Sequence, residues 1–133
     1  MRTYLNLFFA FLFITMNTSC NEDDVEVDCI TGEAAIINEV EAPETAKVGE
    51  VVSIEVTFSM KNTCGSFAEF KESSTEEGKI IKVLVSYFGC TCGQAIIEDT
   101  QSYEFTPESA GVYQLNFRSS TSELTTINIE VTE

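Results

Sequence analysis

Alternation of apolar and polar residues dominates the chain from about residue 34 onward. In the clearest run, the apolar side chains stand two residues apart, at Val52, Ile54, Val56, Phe58 and Met60. A period of two predicts a β-strand with one buried face and one wet face. No stretch of ten or more residues shows the 3.6-residue period of an amphipathic helix. We therefore expect an all-β domain.

Turn-forming residues divide this region into short strands. Clusters of Pro, Gly, Asn and Ser separate the apolar runs at close intervals. Seven short strands within about a hundred residues favour an antiparallel β-sandwich. The predicted strands cover residues 34–41, 50–60, 66–72, 79–88, 94–105, 111–119 and 123–132.

A local pattern between Phe105 and Tyr113 sharpens this fold prediction. The segment reads Phe-Thr-Pro-Glu-Ser-Ala-Gly-Val-Tyr, which resembles the E–F corner of immunoglobulin-like domains. Residues 40–50 resemble the A–B segment of bacterial immunoglobulin-like domains in the same way. The resemblance implies a seven-stranded antiparallel immunoglobulin-like sandwich over residues 34–133. It also implies that Tyr113 is the corner tyrosine, with its ring in the core and its hydroxyl bonded to upstream backbone.

The first nineteen residues have a different composition. One basic residue, Arg2, precedes a run of mostly large apolar side chains over residues 4–16. Thirteen helical residues rise about 20 Å, which is short of the roughly 30 Å hydrocarbon core of a bilayer. We therefore interpret residues 1–19 as a secretory signal peptide rather than a transmembrane helix.

A small residue and a cysteine, Ser19 and Cys20, follow this run directly. The arrangement resembles the lipobox of bacterial lipoproteins, with Asn17 where an aliphatic residue is usual, as in the relaxed lipoboxes of Bacteroidota. The resemblance implies that Cys20 receives a diacylglyceryl group and becomes the first residue of a membrane-anchored mature chain. The alternatives are an ordinary cleaved signal with Cys20 in a disulfide bond, and an uncleaved anchor.

Acidic residues crowd the segment after Cys20. Five of the eight residues from 21 to 28 are Asp or Glu, beginning with Glu22, Asp23 and Asp24. This composition predicts a solvated tether over residues 20–33. An acidic cluster at this position also resembles the signal that sends Bacteroidota lipoproteins to the outer face of the outer membrane. The resemblance implies a lipid-anchored protein displayed on the cell surface, and retention on the periplasmic face is the alternative.

The five cysteines fit an exported lipoprotein. Their odd number leaves one thiol over, and a lipid on Cys20 accounts for it. The other four, Cys29, Cys64, Cys90 and Cys92, converge on one end of the predicted sandwich. Since a Cys90–Cys92 bond would close a very small ring, we expect disulfides that link Cys29 and Cys64 to this pair, in either order. A zinc site or a redox-active pair suits the Cys-x-Cys spacing poorly.

Charge and composition narrow the possible functions. The chain has 22 acidic and seven basic residues, a net charge of −15, no His and no Trp. That charge would repel nucleic acid, and the lack of His excludes Ser-His-Asp and Cys-His catalysis. We expect no enzymatic activity, no cofactor and no metal, because the carboxylates near strands show no spacing typical of a general acid/base pair. These carboxylates are Glu69, Glu72, Glu98, Asp99 and Glu104.

Two functions fit this sequence. The first is a small binding module on the cell surface, with an envelope protein or a glycan as its partner. Phe67, Tyr87 and Phe88 lie near the disulfide end, where they serve either this contact or the core. The second is a structural or spacer subunit of an envelope assembly. Leu84 and Phe88, which are apolar on the wet face of their strand, would then mark the contact.

Overall fold

The computed structural model describes residues 29–76 and 78–133; the signal peptide, Cys20 and the run Glu22, Asp23 and Asp24 lie outside these residues. The described chain forms strands joined by turns, and none of its segments is a helix long and apolar enough to cross a membrane. The strands are β1 (Ile30–Ala34), β2 (Ile36–Glu41), β3 (Thr45–Lys47), β4 (Val52–Met60), β5 (Gly65–Thr75), β6 (Gly78–Phe88), β7 (Ile97–Phe105), β8 (Gly111–Arg118) and β9 (Leu124–Thr132).

These strands form two sheets, as expected for an all-β sandwich. The smaller sheet has the order β2-β4-β7, and the larger contains the other six strands. In the larger sheet, β5 pairs with β6 along nearly its whole length. The other side of β6 is shared, because β8 pairs with residues 79–81 and β1 pairs with residues 84–88. β8 continues to β9, and β9 to β3.

The pairing corrects the predicted antiparallel immunoglobulin-like arrangement of seven strands. The described residues form nine strands, and two of the pairs, β3 with β9 and β6 with β8, run parallel. Alternation predicts where strands lie but not which strands pair, since every register that keeps the apolar face inward satisfies the pattern. The coarser prediction of an all-β sandwich is confirmed.

The N-terminal boundary of the domain also differs from the prediction. The first predicted strand, residues 34–41, is divided at Ala35, where the chain leaves β1 in the larger sheet and enters β2 in the smaller one. Residues 30–33 were expected in the tether, but they pair with the end of β6. The tether prediction is therefore wrong for these residues, because their pairing with β6 satisfies backbone groups that a tether would leave to water.

The core lies between the two sheets and follows the predicted alternation. All five apolar positions of β4 are buried, and the polar positions between them are exposed or half-buried. On β6, the inward set is Ile81, Val83, Val85 and Tyr87. Complete burial of each large apolar side chain contributes roughly 1.5–3 kcal/mol relative to exposure.

A row of aromatic rings crosses this core from one sheet to the other. Phe58 of the smaller sheet lies 6.0 Å from Phe67, which lies 5.1 Å from Phe70, measured between ring centroids. Phe70 then contacts Tyr103 edge-to-face at 5.4 Å, and Tyr103 contacts Phe117 at 5.8 Å. Such ring pairs add about 0.5–1.5 kcal/mol beyond the area they bury. The row therefore links β4 and β7 to β5 and β8.

Tyr113 has the contacts of a corner tyrosine. Its hydroxyl accepts a hydrogen bond from the Ser109 N–H at 3.1 Å and donates one to the Ser109 carbonyl at 3.0 Å. Its ring lies 5.1 Å from Phe105 and packs against the core. Hydrogen bonds from the Ser109 side chain and backbone lower the pKa of the Tyr113 hydroxyl. This corner closes the turn between β7 and β8.

Gly65 offers a test of this packing, with Gly32 as its matched control. A Cβ at position 65 would lie 2.8 Å from the Met60 Cβ and 2.9 Å from the Tyr87 ring, whereas one at position 32 meets only a carbonyl oxygen at 3.7 Å. Gly65→Ala should lower the free energy of unfolding by about 1–3 kcal/mol, because both neighbours are buried. Gly32→Ala should leave it unchanged or raise it slightly. Urea unfolding measures both, and equal effects would contradict the structure.

Candidate functional site

Two disulfide bonds hold one end of the sandwich. Cys29 is bonded to Cys90, with Cα atoms 5.1 Å apart, and Cys64 to Cys92, with Cα atoms 5.5 Å apart. They join the residue before β1 and the turn after β4 to the segment that follows β6. The bonds span 61 and 28 residues. In the chain-entropy model, each contributes about 4 kcal/mol.

Backbone hydrogen bonds reinforce the same end. The Gly89 N–H donates to the Cys29 carbonyl at 2.9 Å, and the Phe88 N–H donates to the Cys64 carbonyl at 3.2 Å. Because these bonds continue the ladder beyond β6, the disulfides connect segments that the sheet already aligns. This end is therefore a rigid support for the neighbouring surface.

The three aromatic residues expected near this end have different environments. Tyr87 is buried, and its hydroxyl accepts a hydrogen bond from the Lys61 N–H at 3.0 Å. Phe67 belongs to the aromatic row. Phe88 is 56% exposed and stands opposite Ile30, which is 55% exposed, on the outer face of the larger sheet. Leu84 lies on the same face and is half-buried.

A cleft of about 980 Å³ opens at the point where the chain crosses between the sheets. The Ala35 N–H donates to the Val83 carbonyl, and the Ser120 N–H donates to the Ala35 carbonyl, both at 2.9 Å. Ala35 thus connects β6 to the loop after β8, and the cleft lies beside this connection. Its volume is in the range of small-molecule sites. An exposed apolar side chain, Ile96, also belongs to its lining.

Three cationic side chains line the cleft: Lys61, Lys82 and Arg118. Lys61 Nζ lies 2.9 Å from a Glu33 carboxylate oxygen, and this hydrogen bond raises the pKa of the Lys61 ammonium. Within residues 29–76 and 78–133, no carboxylate lies within 4 Å of Lys82 Nζ. Arg118 interacts with a group elsewhere in the protein. The cleft is therefore cationic in a strongly acidic chain.

Glu33, Asn38 and several serines supply the remaining polarity of the cleft. Its lining includes the serines of the loop between β8 and β9. This loop is held by hydrogen bonds from the Ser122 N–H to the Ser119 carbonyl and from the Ser119 N–H to the Glu123 carbonyl. Ser122 has a φ of 68°, which is uncommon for a residue other than glycine. The turn follows Arg118 directly in the chain and contributes Ser119, Ser120 and Ser122 to the lining of the cleft.

A second polar cluster joins the two sheets away from the cleft. The Tyr103 hydroxyl donates to Glu72 at 2.5 Å, and Lys79 Nζ lies 2.7 Å from the other Glu72 oxygen. The Lys79 hydrogen bond, followed by that of Tyr103, lowers the pKa of Glu72. Burial and the Glu72 hydrogen bond raise the pKa of the Tyr103 hydroxyl. Burial lowers the pKa of the Lys79 ammonium, but the interaction with Glu72 raises it, and the net shift is upward. All three groups keep their usual charges at neutral pH, as suits a structural link.

The cleft was not predicted from the sequence. The cysteines and aromatic residues gave the clearest patterns, whereas the cleft is built from the scarce basic residues and from serines in a turn. The sequence does show Lys82 inside the otherwise apolar run of residues 80–85. The residues that share the cleft could not be deduced without the pairing of β6 with both β1 and β8.

The fold and the cleft define a disulfide-linked β-sandwich domain. Comparison with known families is consistent with this class, since the model of the ORF11 beta-sandwich domain matches residues 54–132, more than half of the chain. The chain therefore belongs to the ORF11 beta-sandwich domain family. No curated protein and no solved structure matches it.

The order of the disulfide bonds can be tested with paired serine substitutions. Cys29→Ser with Cys90→Ser should leave the Cys64–Cys92 bond intact, so denatured exported protein shows no free thiol and loses only about 4 kcal/mol of stability. The mismatched pair Cys29→Ser with Cys92→Ser breaks both bonds and should lose about twice as much. Thiol titration and urea unfolding distinguish the two. Equal behaviour of the two pairs would refute this connectivity.

Proposed function

We propose that this protein is a lipid-anchored protein of the outer membrane whose β-sandwich acts as a non-enzymatic binding module. The observation that carries this proposal is the cationic, hydroxyl-lined cleft between the sheets. Its lining comes from both sheets and from the loop between β8 and β9, so the folded domain holds it in shape. A surface site supported by a rigid scaffold is typical of recognition.

The disulfide bonds support export of the chain. Disulfides persist in oxidising compartments, and the two bonds use four of the five cysteines. Cys20 is the remaining cysteine, and it follows the predicted signal peptide in a position that resembles a lipobox. We propose that Cys20 carries the lipid and that Glu22, Asp23 and Asp24 direct the protein to the cell surface.

The extent of β1 limits how far the domain can stand from its lipid. Because β1 begins at Ile30 and Cys29 is bonded to Cys90, only residues 21–28 separate the domain from Cys20. Eight residues span at most about 29 Å when fully extended. The partner must therefore come within a few nanometres of the membrane.

A second candidate is a structural or spacer subunit of an envelope assembly. The observation that favours it is the exposed apolar pair Ile30 and Phe88 on the outer face of the larger sheet. Exposed apolar residues often mark protein contacts, although single exposed residues are common on ordinary surfaces. The cleft combines charged, polar and apolar side chains, whereas this pair is only apolar, so we favour the binding module.

Photocrosslinking in intact cells tests whether the cleft is occupied. Ile96, which lines the cleft, and Val112, which does not, are both 71% exposed. Benzoylphenylalanine placed at position 96 should therefore give adducts of increased mass, and the same residue at position 112 should give few or none. Adducts at neither position, or equal adducts at both, would contradict a binding role for the cleft.

Protease accessibility tests the proposed anchor and display. Proteinase K added to whole cells should cleave the wild-type protein, and alanine at Glu22, Asp23 and Asp24 should protect it without changing its acylation. Cys20→Ser should lose radiolabelled fatty acid, while Cys29→Ser should keep it. If the wild-type protein is digested only after the outer membrane is permeabilised, the protein lies in the periplasm. If Cys20→Ser still carries radiolabelled fatty acid, the lipobox interpretation is excluded.

A further inference from the structure

A row of three cations crosses the outer face of the larger sheet at one edge of the cleft. Lys71 of β5 stands directly opposite Lys82 of β6. On the other side of β6, Ile81 is paired with Phe117 of the parallel strand β8, which places Arg118 beside Lys82 one residue later. Neighbouring strands lie about 4.8 Å apart, so the row spans roughly 10 Å.

Within this row, the opposed pair Lys71 and Lys82 is unfavourable for the isolated fold. Like charges directly opposite on paired strands destabilise a sheet. The chain has 22 carboxylates, yet none of those in the described ranges, 29–76 and 78–133, lies within 4 Å of the ammonium of Lys71 or Lys82. Departures from local rules without a compensating contact are typical of functional sites. The missing compensation points to an anion supplied from outside the domain.

The row is continuous with the hydroxyl groups of the cleft. Lys82 and Arg118 belong to both, and Ser120 and Ser122 line the cleft beside them. A ligand that extends from the row into the cleft would therefore meet charge at one end and hydroxyls at the other. Serine hydroxyls both donate and accept hydrogen bonds, as sugar hydroxyls do.

The net charge of −15 restricts the kind of anion. A densely charged polymer such as nucleic acid would be repelled by most of the surface before it reached the row. A short ligand with only a few negative groups in total experiences mainly the row, because other charges are screened beyond about 8 Å at physiological ionic strength. A few carboxylates and many hydroxyl groups together describe a short sugar chain that contains uronic acids.

We propose that the row of Lys71, Lys82 and Arg118, with the adjoining cleft, binds an acidic oligosaccharide through its carboxylates. The inference rests on the proposed binding role of the cleft and names the class of its ligand. A carboxylate held by Lys71 and Lys82 would supply the charge that the pair lacks, and the neighbouring hydroxyls would orient the sugar ring.

Calorimetric titration of the exported protein, purified from its own cells in neutral detergent, tests this assignment. The probe is an oligogalacturonate of five sugars, and its fully methyl-esterified form is the neutral control. The acid form should bind and the ester should not. Lys82→Gln should weaken binding about tenfold and Lys71→Gln at least threefold, because each removes a charged hydrogen bond. Lys47→Gln removes the same charge from an exposed position on β3 and should have no effect.

Thermal unfolding of the same variants separates binding from folding. Removal of either opposed lysine should leave the Tm unchanged or raise it, so a loss of affinity with an undiminished Tm reports the lost contact. Absence of oligogalacturonate binding, equal binding of the ester, or an equal loss in Lys47→Gln would overturn the proposal. Preference for a glutamate-rich peptide, with the same sensitivity to Lys82→Gln, would replace the sugar with an acidic protein partner.

This titration is independent of the tests of the binding module. It uses purified protein and does not depend on display at the cell surface. Cleft-specific photocrosslinks at position 96 without oligogalacturonate binding would refute the ligand class while supporting the binding role. Absence of both would refute the binding role as well.

Discussion

The shared side of β6 is the constraint on which the rest of the structure depends. β5 occupies one side of this strand, so β8 and β1 must divide the other between them. At the point where one ends and the other begins, the chain turns at Ala35 and passes to the smaller sheet. The cleft follows directly from this arrangement, because a single partner along the whole of β6 would leave no gap there.

The disulfide bonds and the aromatic row stabilise the domain in different ways. The bonds connect chain segments at one end of the sandwich, whereas the row from Phe58 to Phe117 joins one sheet to the other across the core. A small domain buries a limited fraction of its surface, so cross-links at one end add substantially to its stability.

Side-chain alternation in the sequence predicted the fold class and the buried faces of strands, but not which strands pair. The buried faces of β4 and β6 and the all-β class follow from a period of two, which belongs to each strand by itself. The division of the first strand at Ala35 and the parallel pair β6 and β8 depend on long-range pairing, to which alternation is insensitive. The cleft depends on that same pairing. Two of its basic residues, Lys82 and Arg118, are 36 positions apart in the chain, so their proximity was not visible in the sequence.

Charge at two length scales explains how an acidic protein can hold an anion. The net charge of −15 governs the approach of distant molecules, and it excludes those that are themselves densely negative. At contact, the field comes from the few charges within a screening length, and there the sheet places three cations side by side. In the proposed binding role, the acidic surface disfavours long polyanions and the local row provides affinity for a short anion. This separation requires a rigid sheet, because flexible lysines on a loop would move apart to relieve their repulsion, whereas register holds the backbones of Lys71 and Lys82 opposite each other.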